Sequence, residues 1–307
     1  MASTSRAHLQ LHFCVLLWGF TAILGKLITL TALQLVWWRM LIVALALLLL
    51  PKVWRELRTM SRRHLLAYAG IGVLVALHWL TFYSAVKLAN ASVAATCIAL
   101  APVFLSLIEP WVVGRKFEPR ELLLGAAVVP GVALVVGGVP ADMRLGIAVG
   151  VLSAVFCAGF GALNKRMADR SGPLTITCLE LGAGTLFLTL VTAFWHAEGS
   201  FVLPDLHDTA LLLVLALVCT LLPFALAMAV LRQLSAYTVQ LATNLEPVYA
   251  IVLAVILLGE QHQLDAWFYA GVAIILGAVF AHPFLTRRPA AKPPASVLGT
   301  AESKSFE

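Results

Sequence analysis

A glutamate followed by a proline sits inside a long apolar stretch, QLATNLEPVYAIVLAVILLGE, Gln240 to Glu260. About 20 such residues are what an α-helix needs to cross a bilayer. A carboxylate at that depth costs roughly 2.5–3.5 kcal/mol on insertion scales, so Glu246 is expected to face a cavity or a partner rather than lipid. Desolvation disfavours its charged form. That suits a group that takes a proton on one side of a membrane and releases it on the other. Pro247 has no N–H for the carbonyl four residues back and is expected to kink or loosen the helix there. Gln240, Thr243, Asn244 and Pro247 follow steps of three and four and form one polar stripe. Glu246 points some 160–200° from Asn244 in an ideal helix, which sets the acid off that stripe. The alternative role for Glu246 is to tie helices together.

Other polar groups lie within apolar runs. Arg39 sits about eight residues into one of them. It suits a substrate carboxylate or an internal acid; it equally suits a structural ion pair or a side chain snorkelling to the headgroups. His78 heads the run His78-Trp79-Leu80-Thr81-Phe82-Tyr83. Imidazole carries protons near neutral pH, and the aromatic rings beside it are able to hold an aromatic or cationic ligand. A histidine hydrogen-bonded between helices is the plainer alternative. Glu180 is a further intramembrane acid and a possible partner of Arg39, whereas Glu109 is close enough to a span end to reach the interface. Trp18 beside Gly19 suits a pocket wall or simple packing. Cys14, Cys97, Cys157, Cys178 and Cys219 all lie in apolar runs with no metal-ligand spacing, and read as packing residues.

The elements that must position these groups are membrane helices. The 307 residues are 61% hydrophobic and 12% charged, against about 25% charged in soluble domains. Mean hydropathy is +0.96. The fold class expected is an all-α polytopic membrane protein. The net charge of +6 reflects basic loops between apolar runs, which membrane orientation explains and nucleic-acid binding does not. Ten apolar runs of spanning length fall near 9–28, 31–50, 65–86, 91–113, 120–138, 145–164, 173–195, 209–231, 235–258 and 264–282. The first reads as a retained helix rather than a cleaved signal peptide. Most of the 21 Lys and Arg fall on one side, in the loops holding Lys52 to Arg63, Arg115 to Arg120, Lys165 to Arg170 and the C-terminal tail. Lys26, Lys87 and Arg144 fall on the other. The Lys/Arg excess marks the cytoplasmic side, so both termini are expected there. Residues 283–307 are Pro-rich and polar, and read as a disordered cytoplasmic tail.

The chain also repeats itself. Gly19-Phe20-Thr21-Ala22 resembles Gly159-Phe160-Gly161-Ala162, and Ala101-Pro102-Val103-Phe104 resembles Glu246-Pro247-Val248-Tyr249. Gly114 corresponds to Gly259, and Gly125 and Gly131 to Gly271 and Gly277, at offsets of 140 to 146. Five spans per repeat is odd, so the second repeat enters the membrane from the opposite side. Inverted repeats of this kind are a device of secondary transporters, with the site near midplane between them. The expected organisation is ten transmembrane helices as two inverted five-helix repeats, residues 1–140 and 141–282. Gly19, Gly159, Pro102 and Pro247 are then candidate hinge positions. Gly146 and Gly150 form a small-x-x-x-small pattern for close helix contact, within the chain or between chains.

Trp18-Gly19, Arg39 with the Leu/Ala run after it, Ala101-Pro102, Glu246-Pro247, Leu258-Gly259-Glu260 and the glycines of span 10 together resemble the drug/metabolite transporter superfamily, in its ten-helix EamA-type branch. The resemblance covers roughly residues 8 to 282. It implies two inverted five-helix repeats, cytoplasmic termini, and alternating-access movement of small metabolites, commonly export of amino acids or related compounds. One departure is Leu179-Glu180 where span 2 has Arg39.

The expected function is therefore secondary-active transport of a small metabolite, in a bacterial inner membrane, with the bilayer and the small-molecule substrate as partners. Trp18, Arg39, His78, Trp79, Tyr83 and Asn244 are the candidate substrate-binding residues; Glu246 and His78 are the candidate proton-coupling pair. No cofactor, metal or nucleic acid is expected, and oligomeric state is open. The rival carrier is a facilitator or exchanger of sugars, nucleosides or organic cations; phosphorylated cargo would need more inward-facing cations than Arg39, Lys26 and Lys87. An intramembrane enzyme would need a nucleophile–base or metal constellation that the motifs do not supply.

Overall fold

The computed structural model describes residues 2–114, 119–167, 170–195, 202–224, 226, 243 and 245–285. Every regular element among them is helical: α1 (Ala2–Leu27), α2 (Ala32–Leu48), α3 (Pro51–Thr59), α4 (Arg62–Leu88), α5 (Ala91–Ile98), α6 (Ala101–Val113), α7 (Pro119–Gly137), α8 (Arg144–Met167), α9 (Pro173–Trp195), α10 (Leu206–Leu213), α11 (Glu246–Leu258) and α12 (Ala266–Leu285). A π-helical stretch, Val214–Leu221, continues α10. Among the described residues six helices are long and apolar enough to cross a membrane. The pair α2 and α3, bent by 91°, makes a seventh if counted as one span. Three of the ten expected crossings are met only by shorter apolar helices, Ala127–Gly137, Glu246–Leu258 and Ala266–Ala278. The end of the expected eighth span and the start of the ninth lie outside the described residues, as does the tail beyond Leu285.

Two expectations need correction. Residues 51–59, read as a basic loop, form α3. Pro51 stands at its first turn, where the missing N–H costs nothing, and Val53 is buried while Lys52 and Arg55 are exposed. An amphipathic pattern of this kind suits a membrane–water interface. The tail, expected to be disordered from residue 283, begins later, since α12 runs to Leu285. Pro247, expected to kink or loosen its span, stands in the first turn of α11, just after a turn at Leu245.

The two halves are built alike. Both α6 and α11 have 13 residues with a proline in the first turn. Leu100 (φ −80°, ψ −13°) precedes α6, and Leu245 (φ −81°, ψ −10°) precedes α11. Gly114 (φ 78°) and Gly259 (φ 65°) close them in the left-handed region, which favours glycine as a helix stop. Packing follows the same equivalence: α1 lies on α11 as α8 lies on α6, and α2 packs on α9 as α7 packs on α12. The buried apolar side chains form two clusters, one chiefly of α1 to α4, α9 and α10, the other chiefly of α5 to α8, α11 and α12. Large apolar side chains such as Leu45, Leu186, Leu190 and Ile256 are exposed on the outside, as a lipid-facing surface requires.

Without a hydrophobic drive between helices in lipid, close packing carries association. Gly146 and Gly150 bring α8 against Ala89 and Cys97, so their pattern serves packing within the chain. α7 and α12 meet at Gly131 and Gly271, where a Cβ on Gly271 would stand 2.5 Å from the Gly131 carbonyl oxygen.

Carboxylates tie the halves together at both faces. Near the N-terminus of α10, Asp208 accepts from the Thr29 N–H (2.9 Å), the Thr29 hydroxyl (2.7 Å) and the Leu30 N–H (3.2 Å). On that same face Glu260 accepts from the first N–H groups of α5, Ala91 (2.9 Å) and Ser92 (2.8 Å). On the basic face Glu56 of α3 accepts from the Gly172 N–H (3.0 Å) and Ser171 hydroxyl (3.1 Å) just before α9. A hydrogen bond from the Thr175 hydroxyl, and then those from Gly172 and Ser171, hold the Glu56 carboxyl below its ordinary value against the opposing effect of desolvation.

Two measurements follow. Gly271→Val is expected to lower the unfolding midpoint in micelles by the equivalent of about 1–3 kcal/mol, whereas Gly137→Ala, with nothing within 4 Å of its Cβ, leaves it nearly unchanged. The lowered Glu56 value contributes stability above the ordinary carboxylate range and loses it as pH falls through the folded-state value. The difference in melting temperature between wild type and Glu56→Gln is therefore expected at pH 7 and gone well below about pH 4.

Candidate functional site

The proline breaks shape the site. Pro102 offers no N–H to the Ile98 carbonyl, and the Val103 N–H turns to Leu100 (3.0 Å) rather than continuing the α-helical ladder. The break between α5 and α6 falls about 15 Å into the span at 1.5 Å per residue. The start of α11 lies opposite. Between them is a cavity of about 210 Å³, walled by Ile98, Ala101, Pro102 and Leu105, by Cys157, Ala158, Phe160 and Gly161 of α8, and by Thr243, Glu246 and Pro247. A second void of about 10 Å³ lies behind it, between Trp18, Gly19, Thr21, Phe82, Ala95 and Ala250. Ile98, Glu246 and Pro247 border both. Thr243 and Glu246, which an ideal helix need not bring together with the rest of the stripe, thus share one cavity. Asn244 lies outside the described residues.

Gly19 lets α1 approach α11 closely: a Cβ there would sit 3.1 Å from the Ala250 nitrogen. Its expected counterpart Gly159 has no such crowding, with a Leu74 methyl at 4.0 Å. Gly159 therefore has no close approach to serve.

Arg39 is 4% exposed and lies outside the cavity wall. Its Nε donates to the Thr220 hydroxyl (2.9 Å) and Nη1 to the Tyr83 hydroxyl (2.7 Å). The guanidinium carbon stands 3.8 Å from the Trp79 ring centroid, a cation–π contact. The Tyr83 hydroxyl in turn donates to the Thr21 carbonyl (3.5 Å), beside the small void. The suggested pairing of Arg39 with Glu180 does not form. Arg39 commits its donors to spans 3 and 8, while Glu180 accepts from the Asn164 amide (3.3 Å). Glu246 lines the small void together with Thr21, whose carbonyl ends the chain of hydrogen bonds from Arg39 through Tyr83.

His78 joins α4 to α8. Its Nδ1 lies 3.0 Å from the Ser153 carbonyl, and the Ser153 hydroxyl donates to the His78 carbonyl (2.8 Å). A carbonyl oxygen only accepts, so the first of these bonds assigns the proton to Nδ1. The ring also lies against Phe160, a cavity residue, at 5.4 Å centroid distance and a tilt of 51°. So His78 is an interhelical fastener with one face toward the cavity. Sequence reasoning missed Cys157, Phe160, Gly161 and Thr21 as site residues; only the Gly-Phe-Gly-Ala repeat hinted at them.

The two halves of the chain each match the model of one family, described as the EamA-like transporter family, at residues 6–137 and 144–282. The chain belongs to that family. It is therefore an integral membrane protein of a family of small-molecule transporters, and the two-repeat architecture fits. No curated protein matches the chain. A solved crystal structure of a protein shares its fold with a TM-score of 0.59 at 18% identity, over 92% of this chain and 97% of that one. Among EamA-type features, the Glu246-Pro247 pair and the mirrored Pro102 are what border the cavity here.

Tyr83→Phe removes both the Arg39 acceptor and the donor to Thr21. The expected cost is about 1–3 kcal/mol, read as a lowered unfolding midpoint in micelles with the fold retained.

Proposed function

We propose that this chain is a secondary carrier that moves a small amphipathic metabolite, such as an amino acid, outward across a bacterial inner membrane. It works by alternating access between two inverted five-span repeats, residues 1–140 and 141–282, with ten crossings and both termini cytoplasmic. The observation that carries this reading is the 210 Å³ cavity bounded by both proline breaks and by Glu246. A cavity at the break of two equivalent helices is where inverted-repeat carriers hold substrate and coupling ion.

In this reading Glu246 is the coupling acid. Its position between the two voids lets one carboxyl face the cargo and the Arg39 network in turn. Protonated, it leaves Arg39 as the unbalanced charge, which favours a cargo carboxylate; ionised, it balances Arg39 itself. Trp18, Trp79 and Tyr83 line or brace the path, His78 positions Phe160, and Pro102, Pro247 and Gly19 are the points at which helices reorient; Asn244 is kept as a candidate substrate-binding residue from the sequence alone.

Counterflow in proteoliposomes tests this. Vesicles are loaded with amino acids, nucleosides or organic cations, with and without a pH gradient. Saturable amino-acid flux that the gradient stimulates, and that Glu246→Gln uncouples, is expected. Flux indifferent to both the gradient and the substitution removes the proton link. Saturable flux confined to nucleosides or organic cations removes the amino-acid cargo.

A further inference from the structure

The carrier reading leaves one buried acid unused. Glu180 on α9 is 6% exposed. Its Oε2 accepts from Asn164 of α8 (3.3 Å), and its Oε1 has no hydrogen-bond partner among the described residues. Gly72 of α4 packs so closely that a Cβ there would stand 2.2 Å from the Glu180 carbonyl oxygen. Charged and titratable groups on the helices packed against α9, and on α8, have partners of their own. Tyr68 of α4 donates to the Met167 carbonyl (2.9 Å). Arg39 of α2 holds Thr220 and Tyr83, Glu56 of α3 holds Ser171 and Gly172, and Lys165 of α8 pairs with Glu109. A carboxylate ionised at this depth with one neutral amide for company is costly. The side chain needs either a proton or a visiting cation.

Its place suggests which cation. Cys157, Gly161 and Asn164 follow steps of four and three on α8, so they share a face. The first two wall the cavity, and Asn164 stands three residues, about 4.5 Å, further toward the basic face. Glu180 also mirrors Arg39: each is the eighth residue of its helix, α9 and α2. Equivalent positions in the two halves therefore carry opposite charge, one suited to a carboxylate and the other to an ammonium.

We propose that Glu180 and Asn164 form a second binding site for the ammonium group of the transported molecule, and that the Glu180 carboxyl holds a proton whenever no ammonium is present. One positive charge enters as one proton leaves, so the site keeps its net charge. The proposal rests on the carrier reading for calling the ammonium cargo.

Infrared difference spectra of the purified full-length chain in lipid nanodiscs test it. Glu246→Gln serves as background, to remove the other candidate acid. A protonated-carboxyl carbonyl band is expected at neutral pH and is absent in Glu246→Gln/Glu180→Gln. Saturating n-butylammonium chloride is expected to abolish that band and release about one proton per chain; sodium butyrate and sodium chloride at equal ionic strength leave it in place. Asn164→Leu is expected to shift the band and serves if the double variant does not stay monodisperse. A band insensitive to Glu180→Gln or Asn164→Leu, a band that n-butylammonium leaves untouched, or one that sodium removes equally well overturns the site. The readout is binding rather than flux, so a failed flux assay and a failed displacement are separate results.

Discussion

A helix in hydrocarbon must satisfy its backbone from within, because lipid offers no donors or acceptors. Pro102 and Pro247 both withhold a donor where a carbonyl would need one. The chain meets this by restarting its helices at those points, with matching αR residues before them and matching left-handed glycines 12 residues after each proline. A restart leaves polar backbone near midplane, and such backbone persists only where it is buried in protein or lines a cavity. The cavity at Ile98, Pro102 and Pro247 is thus the counterpart of the breaks. Glu246 follows the same logic: a carboxyl is tolerated at the one depth where the helices already leave room for polarity.

The faces of the molecule answer a related constraint. Helix N-termini leave N–H groups without intrahelical acceptors, and here carboxylates borrowed from the other repeat accept them. Glu260 serves α5, Asp208 serves the turn before α2, and Glu56 serves the turn before α9. The positive ends of helix dipoles favour such partners. Because each tie crosses between repeats, the contacts that seal a face are also the contacts that hold the repeats in register.

Much of this was legible in the residues. The all-helical class followed from composition, and the correspondence of Pro102 with Pro247 and Gly114 with Gly259 pointed to equivalent elements that the backbone angles share. Glu246 as a cavity acid followed from the cost of its depth. What could not be read was long-range. Arg39 is a cation whose partners, Thr220 and Tyr83, lie 181 and 44 residues away, and the guess of Glu180 failed because periodicity says which face a side chain occupies but not which helix faces it. Phe160 and Cys157 are ordinary apolar residues by type; only the packing of α8 beside α6 makes them a wall. α3 was hidden by its charges, since a short amphipathic helix on an interface has the composition of a loop.

The π-helical stretch in α10 carries a consequence of its own. Its backbone bonds run five residues back, as from the Leu222 N–H to the Leu217 carbonyl, so this turn holds one residue more than an α-helix would; the Thr220 hydroxyl, which also donates to the Leu215 carbonyl (2.7 Å), sits within it. That extra residue sets the rotation of everything after it. A chain one residue shorter between Val214 and Leu221 would relax to α-helix and turn the following side chains by about 100°, carrying the threonine hydroxyl off the guanidinium. At this point the length of the segment, rather than the identity of any one residue in it, decides what Arg39 meets.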